Sequence, residues 1–233
     1  MPNQEHLLAV TQGPEVFTNW RAENPDSPLE LEGADLAGVD LRGAKVRNAN
    51  LRGANLTGAI LSRTSFARAD LSGADLTGAE MARCVLAAAN CSNADLTNVN
   101  LYWADLKQTN LQGACLRGSR MVRALLLDAN LTSADVSSAT MIETDLRNAN
   151  LTNARFQACN MNGADLSRTL MDGADFTRAM IRDSMFIAAD MRGADFKDAS
   201  LHRSDLTLAK FDETTRFPLG FDPANTGEKD VDG

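Results

Sequence analysis

From Leu31 to Phe211 every fifth residue is apolar, thirty-seven positions in succession, of which twenty-one are Leu and the others Phe, Met, Val, Ile or, once, Cys91. Two residues before each of the last thirty-six centres the side chain is small or β-branched: twenty-five are Ala, and the rest are Ser, Thr, Cys or Val, such as Thr64, Cys84 and Val99. Between these two positions stands Asp or Asn in twenty-one of the thirty-six cases, as in Ala34-Asp35-Leu36, Ala54-Asn55-Leu56 and Ala164-Asp165-Leu166. A period of five fits neither the 3.6 of an α-helix nor the 2 of a strand, so each pentad is predicted to be a short extended piece followed by a turn. Gly is common two residues after the centre, as at Gly33 and Gly58, with Asn at others, such as Asn48 and Asn93. These are the two residues that most readily adopt the positive φ a tight turn requires.

This A(D/N)LXX pattern resembles the pentapeptide-repeat family, without a break from 31 to 211. The resemblance implies an all-β fold, a right-handed quadrilateral parallel β-helix with four pentads per coil. In that fold the centre and the small residue two before it point inward and the other three point out. Thirty-six pentads then make about nine coils, and stacking at roughly 4.8 Å gives a rod roughly 40 Å long. One coil buries four centres at roughly 2 kcal/mol each, against about 1–2 kcal/mol of backbone entropy for each of twenty residues, so only stacked coils are stable. Steps of twenty give the stacking columns: Phe156, Phe176 and Phe196 as one internal ladder, Met121, Met141 and Met161 as another, and Asn90, Asn110, Asn130 and Asn150 as an external one.

Both ends of such a rod need covers, because an open end exposes strand edges and apolar cross-section. Residues 1–29 are expected to form an N-terminal α-helical cap: a helix over Gln4 to Gln12, a stop at Gly13, and a second helix from Pro14 to about Asn24. Val16, Phe17 and Trp20 are expected to cover the first coil. The β-helix is placed at 30–212, and 213–233 is read as a C-terminal cap and tail. Phe217, Pro218, Leu219 and Phe221 are expected to form a plug, and Asn225 to Gly233 a disordered tail. In some members of the family the C-terminal end is a dimer contact, which leaves monomer and homodimer through that end both open here.

The formal charge is −8, from 31 acidic and 23 basic residues, which disfavours direct nucleic-acid binding because duplex affinity comes mostly from Lys and Arg on phosphates. The first ten residues hold no signal-like apolar run and no stretch holds eighteen consecutive apolar residues, so the expectation is a cytoplasmic protein without membrane association. Cys84, Cys91, Cys115 and Cys159 have no CxxC spacing and are read as free thiols.

A tube filled by Leu and Ala has no concave site, so no enzyme activity, catalytic residue, cofactor or metal site is expected. His202 lies beside Ser204 and Asp205, but on a convex face without an oxyanion hole these make no hydrolytic triad. Asp75 and Asp95 should be coil neighbours, yet a flat column offers too few oxygens for calcium and supports only weak, hydrated ion binding.

The function expected is therefore that of a non-catalytic protein–protein interaction scaffold, with a protein partner of unknown identity. Outward apolar residues mark its candidate contact: Tyr102, Val122 and Ile142 in one column, with Trp103, Leu125 and Leu127 on the same side or at the neighbouring corner. Met180, Met185 and Ile187 form a smaller second candidate. The alternative comes from the resemblance, since some relatives are DNA mimics that bind DNA gyrase. An acidic column of Asp35, Asp75, Asp95, Asp135, Asp175 and Asp195 would carry it here, although Cys115 and Arg155 interrupt that column and the repeat has no loop insertion.

Overall fold

In the computed structural model, which describes residues 2–25 and 27–223, thirty-six successive turns build a right-handed parallel β-helix behind two short helices. Parallel bridges join residues twenty apart from Glu30↔Asn50 to Asp190↔Lys210, always at the residue before the apolar centre. Four faces result. Face 1 carries the centres Leu31 to Met191, face 2 Leu36 to Phe196, face 3 Leu41 to Leu201 and face 4 Val46 to Leu206, and these centres are buried.

The pentad follows from where its five backbone N–H groups go. At Leu71 the centre donates to Asn90 O of the next coil (2.7 Å), Gly73 donates to Ser92 O (2.9 Å), Ala74 closes the turn onto Leu71 O (3.0 Å), and Asp75 reaches back to Ala54 O (2.9 Å). One donor is left over, that of the residue after the centre, and the side chain before the centre takes it: Ser72 N–H donates to Asp70 Oδ1 at 3.0 Å. The same bond recurs from Thr77 to Asp75, Thr97 to Asp95 and Thr132 to Asn130. Asp and Asn are frequent before the centre because a short acceptor there satisfies the one N–H that coil stacking leaves free.

Every turn residue two after the centre, from Gly33 to Leu208, has φ between 54° and 75°, and twenty-four of them are not Gly. A left-handed residue other than Gly costs roughly 1 kcal/mol, which the coil-to-coil bonds offset. At Gly113 an added Cβ would lie 2.5 Å from Asn93 Oδ1 one coil below, so the exposed Asn93 side chain would have to turn aside for any larger residue.

Phe156, Phe176 and Phe196 stack with centroids 4.9 and 4.8 Å apart, which also measures the rise per coil. Met121, Met141 and Met161 are buried in a second column. The amide ladder differs from the sequence expectation at both ends: its bonds run from Asn90 to Asp70, Asn110 to Asn90 and Asn130 to Asn110, each 3.1 Å. Asn150 instead holds both the N–H and the hydroxyl of Thr152.

Helix α1 spans Gln4–Thr11 and α2 spans Pro14–Glu23. Asn3 N–H donates to Glu30 O (2.9 Å), and Glu30 N–H donates to His6 Nδ1 (3.0 Å), so the first coil's edge is paired by the cap. Val10 and Phe17 are buried against the core with Trp20 packed beside them, but Val16 is 40% exposed and points away. At Pro14–Glu23 the i and i+1 positions diverge by about 100°, so Phe17 and its neighbour cannot both face the coil.

At the other end the period slips by one: Asp195 bridges Arg216 rather than residue 215. Phe217 therefore stacks on Phe196 (6.0 Å) and Phe221 on Phe217 (5.4 Å), while Phe211 is half exposed and Leu219 is fully exposed. The segment from Asn225 onward lies outside the described residues.

Polar side chains at the small inward position donate to the coil below, as Thr109 does to Leu86 O (2.8 Å) and Ser204 to Ile181 O (2.6 Å). Ser119 Oγ is buried with no partner among the described residues. Ser119→Ala is therefore expected to stabilise the protein by about 1 kcal/mol and Ser204→Ala to destabilise it by about 1 kcal/mol, read from urea midpoints.

The Asp75 carboxyl lies below its ordinary range through the Thr77 hydroxyl and N–H, and those of Asp40, Asp145 and Asp190 through Arg42, Arg147 and Arg192. A depressed folded-state pKa contributes stability above the unfolded value and loses it as pH falls through the folded one, so stability should fall below about pH 4. Asn at these four positions keeps an acceptor for the free N–H but does not titrate. The fourfold Asn variant should lose less stability between pH 7 and pH 3 than the parent, and an equal loss would assign the acid sensitivity elsewhere.

Candidate interaction surface

The turn between faces 3 and 4 carries the predicted aromatic patch. Trp103 N–H donates to Val122 O (3.0 Å) and Arg123 N–H to Ile142 O (2.9 Å), which fixes Tyr102, Val122 and Ile142 as one column on three successive coils. Tyr102 is 40% and Trp103 49% exposed, with ring centroids 6.2 Å apart, whereas Val122 and Ile142 are half-buried. Arg123 lies one coil above Trp103, with its guanidinium 5.6 Å from the indole centroid, and is itself paired with Glu143. That arrangement holds the indole from one side and leaves its outer edge in water.

Leu125 and Leu127 are placed differently from the other four. Leu125 sits on face 4 between Asp105 and Asp145, and Leu127 lies at the far corner of that face. Lys107 pairs with Asp105 (3.7 Å) and Arg147 with Asp145 (2.7 Å), so ion pairs flank both leucines along the rod. Met180 and Met185 are exposed on faces 3 and 4, with Ile187 half-buried beyond them.

The acidic residues form a column on face 2, with Asp75 and Asp95 bridged as neighbours. One oxygen of each carboxylate is engaged by the turn that follows it: Asp35, Asp75, Asp95, Asp135, Asp175 and Asp195 all accept a backbone N–H. Second oxygens are also taken, Asp175 Oδ2 by Gln157 (2.6 Å) and Asp195 Oδ2 by Arg216 (3.2 Å). Arg117 sits in the field of Asp135 and Asp95, its basicity raised first by Cys115 and then by these carboxylates. Face 2 is thus a mixed column.

Ser204 and His202 stand on opposite sides of the wall: Ser204 is buried with its hydroxyl on Ile181 O, and His202 is exposed. Cys84, Cys91 and Cys159 are buried, and burial pushes the Cys91 and Cys159 thiols up to about 12. They are therefore protonated and inert at neutral pH. No group of three or more His, Cys, Asp or Glu among the described residues is arranged to hold a metal ion, and no described helix is long and apolar enough to cross a membrane.

Sequence reasoning passed over a second feature of face 4. On the first three coils its segments 41–48, 61–68 and 81–88 contain Arg42, Lys45, Arg47, Arg63, Arg68 and Arg83 and no acidic residue. An open groove of about 480 Å³ runs along the adjoining corner, lined by Arg42, Gly43, Ser62, Arg63, Ala82 and Arg83. The signal was present in steps of twenty, but the overall negative charge hid it.

The family described as pentapeptide repeats matches this sequence in eight copies over residues 30–148, and the related pentapeptide repeat region matches residues 129–206. No curated protein matches the sequence at a significant level. Among solved structures, HetL from the cyanobacterium Nostoc sp. strain PCC 7120, a pentapeptide repeat protein involved in heterocyst differentiation regulation, is 24% identical over 82% of this chain and 92% of its own, with a TM-score of 0.48. A trypsin-treated form of QnrB1, a plasmid-mediated fluoroquinolone resistance protein, is 22% identical over 75% of this chain and 91% of its own, with a TM-score of 0.41. The protein alr5209 of Nostoc PCC 7120 is 30% identical over 46% of this chain and 81% of its own, with a TM-score of 0.23. With the repeat pattern matched from residue 30 to 206 and the β-helix built on it, this chain belongs to the pentapeptide-repeat family.

Proposed function

We propose that this protein is a non-catalytic interaction scaffold that binds a protein partner through the corner of Tyr102, Trp103, Val122 and Ile142. The observation that carries this is the exposed aromatic pair at a position where the repeat needs no aromatic residue. Tyr and Trp bury large areas with few rotors, and they are enriched at the centres of interfaces. The interior is packed along its length by Leu, Met, Phe and Ala, so the outer faces are the surface offered for binding. Leu125 and Leu127 extend the contact across face 4, rimmed by their ion pairs.

In this reading the N-terminal segment of residues 1–29 and the C-terminal cap that begins at 213 close the ends of the 30–212 rod. Leu208, Phe211 and Leu219 are exposed near the C-terminal end and support a homodimer there, with the monomer as the other form. The free thiols support a cytoplasmic setting. The gyrase-binding, DNA-mimic reading is less favoured, because Arg117, Arg155, Lys197 and Arg216 intersperse the face 2 carboxylates. A run of phosphate-like charge calls for an unbroken column.

The test is an affinity pull-down from source lysate with the parent, Tyr102→Asp and Val122→Asp as baits, each first checked for an unchanged circular dichroism melt. A partner retained by the parent and reduced at least about tenfold by either substitution, a change of 1.4 kcal/mol, is the expected outcome. Equal retention by all three baits would remove this corner from the interface. If the equally retained protein is a topoisomerase, face 2 becomes the binding face.

A further inference from the structure

We infer that the first three coils of face 4 form a docking surface for an acidic segment of a protein partner, continuous with the Tyr102–Trp103 corner and resting on the scaffold reading above. Backbone bonds hold the segments in register: Val46 N–H to Ser65 O (2.9 Å), Phe66 N–H to Val85 O (2.7 Å) and Arg68 N–H to Ala87 O (3.0 Å). Six cations with no acid among them, in a protein of net charge −8, place a local positive field on one side of an otherwise negative rod. Such a field steers an anionic partner to this side.

Unpaired arginines occur elsewhere on the surface, Arg168 and Arg178 among them; what sets the basic segments apart is that five cations without an ion-pair partner among the described residues lie together there with no acid in those segments. Arg123, Arg147, Arg192, Arg203 and Arg216 each have a carboxylate at ion-pair distance. In the basic segments only Arg42 does, with Asp40 at 2.6 Å. Arg63 and Arg83, exposed on successive coils, have no ion-pair partner among the described residues, nor do Lys45, Arg47 and Arg68. Unpaired guanidinium forks are the groups best suited to carboxylates, which they bind bidentately.

From the grooved corner of Arg63 and Arg83 across face 4 to the corner of Arg47 and Arg68, the outward residues beside Lys45 are small: Ser65, Ala67, Val85 and Ala87. A partner's backbone can approach this face while its carboxylates reach the two corners. The groove then meets the aromatic corner directly, because Arg83 N–H donates to Tyr102 O (2.8 Å) and Trp103 continues the Arg63–Arg83 column. An apolar residue at one end of the acidic segment would lie on Trp103. One α-helical turn rises about 5.4 Å, close to the coil spacing of about 4.8 Å, so acidic side chains on one face of a helix laid along the rod would meet successive coils. A long phosphodiester chain is less well served, since Asp40, Glu80 and Asp105 border the basic patch and the rest of the rod repels it.

The probe is a fluorescein-labelled helical peptide of about twelve residues, with Glu at i, i+4 and i+8 and Leu at its end, compared with a twelve-nucleotide oligo-dT strand. Anisotropy is read at about 25 and 150 mM salt. The acidic peptide should bind the parent and weaken with salt. The double variant Arg63→Glu, Arg83→Glu should weaken it at least tenfold, and the charge-matched control Arg168→Glu, Arg178→Glu less than about twofold.

Absence of peptide binding at low salt, equal loss in the control, or tighter binding of oligo-dT through Arg63 and Arg83 would each overturn the proposal. If the partner that depends on Tyr102 is retained fully by the double variant, the scaffold reading stands and the basic docking surface falls.

Discussion

Five backbone N–H groups per pentad must each find an acceptor, and the way they do so determines the rest of the molecule. Three donate to neighbouring coils, one closes the turn, and in the twenty-one pentads with Asp or Asn before the centre that side chain takes the fifth. Because the coil-to-coil bonds bridge positions twenty residues apart through their neighbours, the register cannot drift without breaking a whole ring of them at about 1 kcal/mol each. The left-handed turn residues are tolerated for the same reason: twenty-four of the thirty-six are not Gly, and neighbours on both sides over-determine their conformation.

That constraint divides the side chains into two populations with different jobs. The inward pair fills the tube and is almost interchangeable along a column, so Leu, Met and Phe alternate without disturbing the wall. The outward positions are free of the core and can hold any residue that the turn geometry accepts. Function is therefore confined to the outer columns, and residue types there become meaningful only when read against their neighbours one coil away. Trp103 between Arg83 and Arg123 is a different object from an isolated surface indole, since one neighbour is paired to Glu143 and the other has no carboxylate partner among the described residues.

The ends obey a second constraint, that an interrupted solenoid has unpaired edges. At the start, Asn3 and His6 meet the backbone of Glu30 and the buried Phe17 covers the first coil. At the finish, a single extra residue puts Phe217 onto the phenylalanine stack, where an unbroken period would have placed Arg216. Both solutions use local departures from the period.

By itself the sequence determined the pentad, because each one encodes its own extended piece and turn; the resemblance to the pentapeptide-repeat family implied four pentads per coil, and with it the inward and outward assignment and the ladders at a spacing of twenty. The structure, by contrast, turned Ser204 inward, away from the exposed face on which the sequence alone sets it beside His202. Only the tertiary structure decided which way Val16 points, where the ladder of Asn90 stops, that Phe217 rather than Arg216 caps the stack, and that Arg63 and Arg83 lack, among the described residues, the carboxylates that Arg123 and Arg147 have. Those outcomes depend on breaks in the repeat and on whether a long side chain reaches a charge one coil away, and neither is written in a five-residue pattern.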